Sequence, residues 1–420
     1  MWIVMTKIRI RKAERLKGNI AIQGSKNTVL PIMAATLLSS GVSVIYNCPA
    51  IEDVSVMCQL LECLNVKTQM QDNTLWIDTT RAEYAPLPAE LTTKLRSSVL
   101  LLGPMLARWQ RVELGLPGGC AIGLRPIDIH LQGFLKMNID IRVVEDKVLG
   151  KSYYLQGGVI QLRFPSVGAT ENLIMTAVAA KGRTILRGAA KEPEIIELCN
   201  YLISMGALIE GVGTDTLLIK GTKELTSSDY CNVYDRIVAG TYLLMASAIP
   251  SEIRLTGIDD IHYIKNVINV TARLGVNVIR RDNALLISSM GQVQGGEFRT
   301  GIYPEFPTDL LPVLITVLAQ AKTYSRIEET IFENRFSIVR ELNKLGATCE
   351  VDDGIVRTGG EVELKGTTLC ATDLRQGAAL VVAGMLSDGT TLVTNIEYIQ
   401  RGYEDIVRDL QRIGVQAEYV

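Results

Sequence analysis

The chain of 420 residues holds only two histidines, His130 and His262, and neither stands beside other ligands at zinc-binding spacing. Its eight cysteines, at 48, 58, 63, 120, 199, 231, 349 and 370, contain no CxxC pair, so the common thiolate metal sites are excluded and neither a metal nor a cofactor is expected. Several fall on apolar stripes and read as buried free thiols in a reducing cytoplasm. An excess of positive charge is also missing. With 43 Lys+Arg against 45 Asp+Glu there is no basic field to draw in DNA or RNA. Aromatic residues make up 5%, and Trp2, Trp76 and Trp109 do not interleave with basic residues as a base-stacking platform would, which leaves them as core or hinge residues. Long hydrophobic runs are absent. The longest, Leu310–Ala319 and Ala378–Leu386, fall short of the ~20 residues that cross a bilayer. The opening Met-Trp-Ile-Val-Met carries its basic residues on the wrong side for a signal peptide, so secretion is not expected.

What the chain does have is 47% hydrophobic residues, 21% charged, and enough length for two large domains. It also echoes itself. Leu64-Asn65-Val66, Met137-Asn138-Ile139, Met205-Gly206-Ala207, Leu274-Gly275-Val276, Leu345-Gly346-Ala347 and Ile413-Gly414-Val415 follow at spacings of 73, 68, 69, 71 and 68. Each puts Gly or Asn where a helix ends in left-handed geometry. A strand pair follows, as in Ala207–Glu210 and Thr216–Lys220 about Gly213-Thr214-Asp215, or Val276–Ile279 and Leu285–Ile287 about Asp282-Asn283. A second echo opens an apolar helix in each unit: Ser25-Lys26-Asn27, Arg96-Ser97-Ser98, Ser166-Val167-Gly168, Asp235-Arg236, Pro307-Thr308-Asp309 and Thr372-Asp373-Leu374-Arg375.

Six such units cannot each bury a core alone. Three apolar helices packed inward in each of two pseudo-threefold domains, with sheets outside, would satisfy them. Helix N-termini with Lys26, Arg96, Arg236 and Arg375 at or near them would favour a polyanionic ligand. Ser, Thr and Asp at these starts serve as caps. For Asp309 and Asp373 the pattern leaves open a cap or an acid–base group.

Residues 115–130 read Gly-Leu-Pro-Gly-Gly-Cys-Ala-Ile-Gly-Leu-Arg-Pro-Ile-Asp-Ile-His, which presents Cys120 in a glycine-rich loop five residues before Arg125. A thiol able to swing and an arginine able to hold an anion make this the candidate for chemistry. His130 is read as hydrogen-bonding the base of that loop, His262 as a surface or hinge residue, and Glu62, Glu197 and Glu341 as solvated charges.

Gly24-Ser25-Lys26-Asn27, Pro117-Gly118-Gly119-Cys120 with Arg125-Pro126, Phe306-Pro307-Thr308-Asp309, Glu333-Asn334-Arg335-Phe336, Ala371–Arg375 and Arg401-Gly402-Tyr403-Glu404 occur together with the sixfold repeat. On these motifs the whole chain resembles the UDP-N-acetylglucosamine 1-carboxyvinyltransferases, enolpyruvyl transferases of bacterial peptidoglycan synthesis within the EPSP synthase superfamily. The resemblance implies two inside-out α/β domains of three βαβαββ-type repeats each, divided as 26–233, with the cysteine loop, and 1–25 plus 234–420, closing on substrates between them. It implies transfer of the enolpyruvyl group of phosphoenolpyruvate to the 3′-hydroxyl of UDP-N-acetylglucosamine with release of phosphate. By resemblance Cys120 is the acid and adduct former and Asp309 the base. Lys26, Arg125, Arg375 and Arg401, with Asn27, hold phosphoenolpyruvate, Lys26 and Arg401 also serving the chemistry. Arg96, Arg125, Pro126, Ile127, Asp128, Ile129, Ser166, Val167, Gly168, Asp309 and Ile331 contact the UDP-sugar, and the duty of Asp373 stays open. A monomer is favoured.

Two positions depart from the family's pattern. Phe164 stands where one branch has lysine, so Arg163 or backbone would make that contact while Phe164 packs in the core; Leu124 offers an apolar loop tip. A shikimate 3-phosphate transferase would share the repeat but not the cysteine loop. A silent UDP-sugar-binding paralogue would be expected to have lost Cys120, Lys26 or Asp309, and all three are present.

Overall fold

A computed structural model describes residues 7–118, 126–222, 224–360 and 362–420; Trp2, Cys120, Leu124 and Arg125 lie outside the described residues. The chain forms two compact units, one spanning 24–233 and the other 7–23 with Tyr234–Val420.

Each unit carries three sheets of one recurring design. In the third repeat, Arg183–Arg187 pairs in parallel with Val159–Gln161 on one side. On its other side it pairs antiparallel with Thr216–Lys220, which in turn pairs with Leu208–Glu210. The same order recurs as Tyr230–Cys231, Val42–Tyr46, Thr74–Asp78, Lys67–Gln71 in the first repeat, and as Glu297–Arg299, Ser325–Glu328, Ile355–Thr358, Cys349–Asp352 in the fifth. The second repeat keeps three strands, its parallel partner reduced to one bridge between Leu87 and Leu114. Strand faces alternate between exposed and buried, as in Lys7–Arg11, so one face of these sheets meets water.

The chain crosses between units because two lead strands are exchanged. Leu16–Ala21 precedes the first repeat's helix but pairs with Pro250–Thr256 of the fourth repeat. Tyr230–Cys231 precedes the fourth repeat's helix but pairs with Val42–Tyr46 of the first. The N-terminal strand Lys7–Arg11 completes the sixth sheet between Thr390–Thr394 and Ala417–Tyr419.

Against these sheets lie the apolar helices expected from sequence: Lys26–Ala35, Leu102–Trp109, Val167–Ala177, Arg236–Ala248, Leu311–Leu318 and Leu374–Leu386. All of Leu374–Leu386 is buried, and in Lys26–Ala35 only Asn27 is not. Arg236–Ala248, Leu311–Leu318 and Leu374–Leu386 pack on one another at the heart of their unit. In the 24–233 unit, Asn172 joins two repeats: its amide donates to Val99 O at 3.0 Å and accepts from Gly103 N at 2.7 Å. A β-carbon on Gly103 would come within 2.5 Å of Asn172 O, so this approach of backbones requires glycine.

Local signals were read accurately at the helix ends. Asn65, Asn138, Gly206, Gly275, Gly346 and Gly414 all have positive φ, from 58° to 103°. The caps divide. Ser25, Ser166, Asp235 and Asp373 accept hydrogen bonds from the first turn of their helices. Arg96-Ser97-Ser98 and Pro307-Thr308-Asp309 do not. There the chain enters through a short 3₁₀ stretch, Arg96–Leu101 and Thr308–Leu310, with no side-chain cap. In each the α-helical part that follows carries a proline in its first turn, Pro104 and Pro312.

Some expectations about exposure are corrected. Phe164 is not core but 40% exposed. Glu197 and Glu341 are buried rather than solvated, because Glu197 accepts from the Tyr230 hydroxyl at 2.8 Å and Glu341 accepts from Cys370 N at 3.0 Å. Glu62 is exposed as expected, and so is His262.

Candidate functional site

Within the 24–233 unit, the sequence-predicted residues fall in two places. Lys26 opens the first inner helix behind the Ser25 cap and is buried, its ammonium 2.6 Å from the carboxylate of Asp53. Asp53 sits in the first turn of Glu52–Glu62, where a carboxylate also meets the positive end of that helix. A nearly dry ion pair of this kind holds both groups charged and fixed, and removing either partner takes a close counter-charge from the other. Asn27, next in line, is half-buried.

The second place gathers the positions expected to meet a nucleotide. Helix Asp128–Leu135 starts at Asp128, which is ion-paired with Arg163. A β-carbon on Gly168 would lie 3.3 Å from His130 Nε2, so the Ser166–Gly168 helix start packs against the start of this helix. Arg96 bonds Pro117 O at 3.3 Å and acts electrostatically on His130. Arg96, Asp128 and Gly168 are therefore neighbours of one imidazole, with Ser166 and Val167 leading into Gly168, and with Ile127 buried, Ile129 half-buried and Pro126 exposed along the chain beside Asp128. Arg163, the stand-in suggested for the missing lysine, is committed to Asp128.

His130 does not behave as expected. It is 5% exposed, yet neither ring nitrogen has a hydrogen-bond partner among the described residues, so it does not tie down the loop base through them. Burial, aided by the charge of Arg96 and opposed by Asp128, brings its pKa down to about 4. At neutral pH it is an uncharged ring.

In the other unit the ambiguity between Asp309 and Asp373 resolves. Asp373 is a cap: its Oδ1 accepts from the backbone N–H of Arg375 and Gln376 at 2.9 and 3.0 Å. Asp309 lies inside the 3₁₀ stretch Thr308–Leu310, whose N-cap is Pro307 and which has no side-chain cap. Its two carboxylate oxygens are ion-paired separately, Oδ1 with Arg335 and Oδ2 with Arg375 at 2.8 Å. Both guanidinium groups are buried, whereas the Asp309 side chain keeps 26% exposure. Burial works against the charge on Arg375, but Asp309, Asp235 and Tyr403 outweigh it and its pKa lies above the ordinary arginine value. Arg335 also donates to Thr308 O at 3.2 Å. Glu329 braces the far side, accepting from Thr308 Oγ1 at 2.8 Å and from Ile331 N at 2.7 Å, which sets Ile331 beside the cluster.

Arg401 follows the short helix Glu397–Gln400 and is half-buried. Two residues on, Tyr403 is buried and shares a 2.8 Å hydrogen bond with Thr241; burial first, then its neighbours, set its pKa up at about 12. Sequence reasoning missed Asp53, Arg335 and Tyr403 as members of these clusters. Arg335 and Tyr403 lay inside quoted motifs, and Ile51-Glu52-Asp53 carries the acidic signature of a helix start.

Among the described residues no group of three or more His, Cys, Asp or Glu could hold a metal ion, and no helix is long and apolar enough to cross a membrane. The seven described cysteines are free thiols, and burial pushes Cys58, Cys199 and Cys349 up to about 11, 12 and 11.

Six sheet-and-helix repeats in two units define an enolpyruvyl transferase fold. The chain shares it with the enolpyruvyl transferase NikO from Streptomyces tendae, at TM-score 0.89 and 24% identity over 98% of each chain. An EPSP synthase from Acinetobacter baumannii aligns at TM-score 0.74 and 16% identity over 98% of this chain and 100% of that one. Residues 10–410 match the family described as EPSP synthase (3-phosphoshikimate 1-carboxyvinyltransferase), and the chain belongs to that family. Within it, this protein is similar to UDP-N-acetylglucosamine 1-carboxyvinyltransferase 2 of Clostridium tetani, 40% identical over 98% of this chain and 99% of that protein. It is equally similar to UDP-N-acetylglucosamine 1-carboxyvinyltransferase 1 of Clostridium acetobutylicum, 40% identical over 99% and 100%.

Proposed function

We propose that the protein transfers the enolpyruvyl group of phosphoenolpyruvate to the 3′-hydroxyl of UDP-N-acetylglucosamine, releasing phosphate, as an early step of peptidoglycan precursor synthesis in the cytoplasm. The observation that carries this reading is the state of Asp309, a partly exposed carboxylate relieved of capping duty and aimed by two buried arginines. End-to-end similarity to relatives bearing that enzyme name supports the choice of substrates.

In this reading Cys120 delivers a proton to the methylene carbon of phosphoenolpyruvate. Positive character builds on the neighbouring carbon, the sugar hydroxyl adds there, and Asp309 takes the hydroxyl proton. The two guanidinium groups hold the Asp309 carboxylate in place while its side chain stays partly exposed, where a hydroxyl can approach it. The Cys120 thiolate left by the first step takes back a proton from the new methyl group as the phosphate departs, and the double bond returns. Lys26, Arg125, Arg375 and Arg401, with Asn27, hold the phosphate and carboxylate of phosphoenolpyruvate, fixed charge being the suitable device for a leaving anion. Arg96, Arg125–Ile129, Ser166–Gly168, Asp309 and Ile331 hold the UDP-sugar, with a neutral His130 beneath.

Phosphate release tests this. It should require both phosphoenolpyruvate and UDP-N-acetylglucosamine; release with shikimate 3-phosphate instead would identify the sister activity, and no release with either would identify a silent paralogue. A thiol-directed epoxide should label Cys120 ahead of the seven other cysteines, three of which burial holds protonated.

A further inference from the structure

Gln23 is the last residue before the chain crosses into the 24–233 unit, and it is half-buried. Its side-chain amide is used at both ends on a single short stretch of backbone. Nε2 donates to Gly402 O at 3.1 Å, and Oε1 accepts from Glu404 N at 2.9 Å. A primary amide placed in this way imitates a peptide unit of a neighbouring strand, holding a carbonyl and an N–H on either side of Tyr403. Its own carbonyl accepts from Asp235 N at 2.9 Å, on the residue that caps the fourth repeat's inner helix after the chain returns.

The stretch so held carries Arg401. It is also restrained from within its own unit: Gly402 N and Tyr403 N both donate to Ile399 O at 3.0 Å, and the Tyr403 hydroxyl is bonded to Thr241. A β-carbon on Gly402 would meet Leu374 at 2.6 Å, so the backbone is pressed close to the sixth inner helix. Without Gln23 the segment from Gly402 to Glu404 keeps its anchor in Tyr403 but loses two hydrogen bonds to its peptide planes, at Gly402 O and Glu404 N.

We infer that Gln23 is a positioning residue for Arg401, clamping the Gly402–Glu404 backbone so that the guanidinium is presented in one geometry to the anion it binds. The inference rests on the proposed role of Arg401 toward phosphoenolpyruvate. It also makes the first crossing and the Arg401 segment parts of one hydrogen-bonded unit, through the Gln23 carbonyl to Asp235 and the Gln23 amide to Gly402 and Glu404.

Gln23→Met keeps the length and removes both hydrogen bonds; Gln23→Glu keeps the acceptor for Glu404 N and removes the donor to Gly402 O. Two readouts are made on the full-length protein. Amide hydrogen exchange at Glu404 is expected to quicken by about tenfold in Gln23→Met and much less in Gln23→Glu, the scale of one net hydrogen bond. The KM for phosphoenolpyruvate, or its affinity by calorimetry, is expected to weaken by about tenfold in Gln23→Met and by a few fold in Gln23→Glu, while the KM for UDP-N-acetylglucosamine stays within about twofold. Unchanged exchange at Glu404 would refute the clamp. Faster exchange with equal rises in both KM values, or with neither, would refute the positioning of Arg401. A parent protein without turnover would instead overturn the proposed reaction, and the exchange and calorimetric comparisons would still decide the inference. If Gln23→Met does not fold, Gln23→Glu carries both readouts alone.

Discussion

Asp309 and Asp373 stand at the openings of successive inner helices in one unit, and they have opposite occupations. Asp373 spends its carboxylate on the N–H groups of its own helix, as Asp235 does in the fourth repeat. Asp309 enters through a 3₁₀ turn that asks for no cap, and its oxygens go to Arg335 and Arg375. The second repeat, opening at Arg96, has the same uncapped entry. A polar residue at a helix start is available for chemistry where the local backbone has released it from capping. Both uncapped entries belong to the middle repeat of a unit, and both precede a proline in the first α-helical turn.

The largest test of this contrast is Asp309→Asn against Asp373→Asn. An amide at 309 cannot accept the sugar proton, so phosphate release should fall by about 10³-fold, within the range attributed to positioned acid–base groups. Asparagine at 373 still caps, so the unfolding free energy should change by less than about 1 kcal/mol. A 309 variant that turned over within tenfold of the parent would remove Asp309 from the proton transfer.

The Lys26–Asp53 pair offers a second contrast, between a carboxylate ion-paired with two arginines and one ion-paired with a lysine. Because the pair is nearly dry, Asp53→Ala should cost about 3 kcal/mol in denaturant unfolding by taking a buried counter-charge from the ammonium. Replacing both, as Lys26→Met with Asp53→Leu, should cost clearly less than Asp53→Ala alone. Equal costs for the single and double variants would mean that the pair is not coupled.

His130 sets a third scale, in pH. Its folded pKa of about 4 lies below the ordinary value of 6.5, so the unfolded chain takes up a proton first on acidification. The stability it lends is full above pH 6.5, is lost as pH falls toward 4, and is worth on the order of 3 kcal/mol across that window. His130→Gln should flatten that part of the stability–pH curve measured by denaturant at pH 7.5, 5.5 and 4.5. An unaltered slope would show that the ring does not titrate as its burial requires.

The difference between Asp309 and Asp373 was not legible in the sequence, and the reason is general to this chain. Features decided within a few residues were readable: Asn65, Gly206 and Gly346 at left-handed turns, the hairpin at Thr216–Lys220, and the caps at Ser25 and Asp235. The exchange of lead strands was not, because Leu16–Ala21 and Tyr230–Cys231 find their partners in distant repeats. Contacts made only on folding also hid Asp53 from Lys26 and Arg335 from Asp309, each pair within one repeat, and Gly402 and Glu404 from Gln23 at the far end of the chain. Glu197 and Glu341 looked solvated for the same reason, since the Tyr230 hydroxyl and the Cys370 N–H that allow their burial come from later segments.

The smallest effect tests the capping rule through stability alone. Asp235 accepts from Ile237 N and Val238 N at 2.9 and 3.0 Å in a buried setting, so Asp235→Ala should lower the unfolding free energy by about 1–2 kcal/mol. Asp235→Ser, which can still accept, should recover at least half of that loss. Ser97 occupies the matching region of the uncapped second repeat and makes no cap bond, so Ser97→Ala should fall within about 0.5 kcal/mol of the parent. A Ser97→Ala loss as large as that of Asp235→Ala would mean that the 3₁₀ entry depends on its side chains after all. The release of Asp309 from capping would then need a cause other than the turn itself.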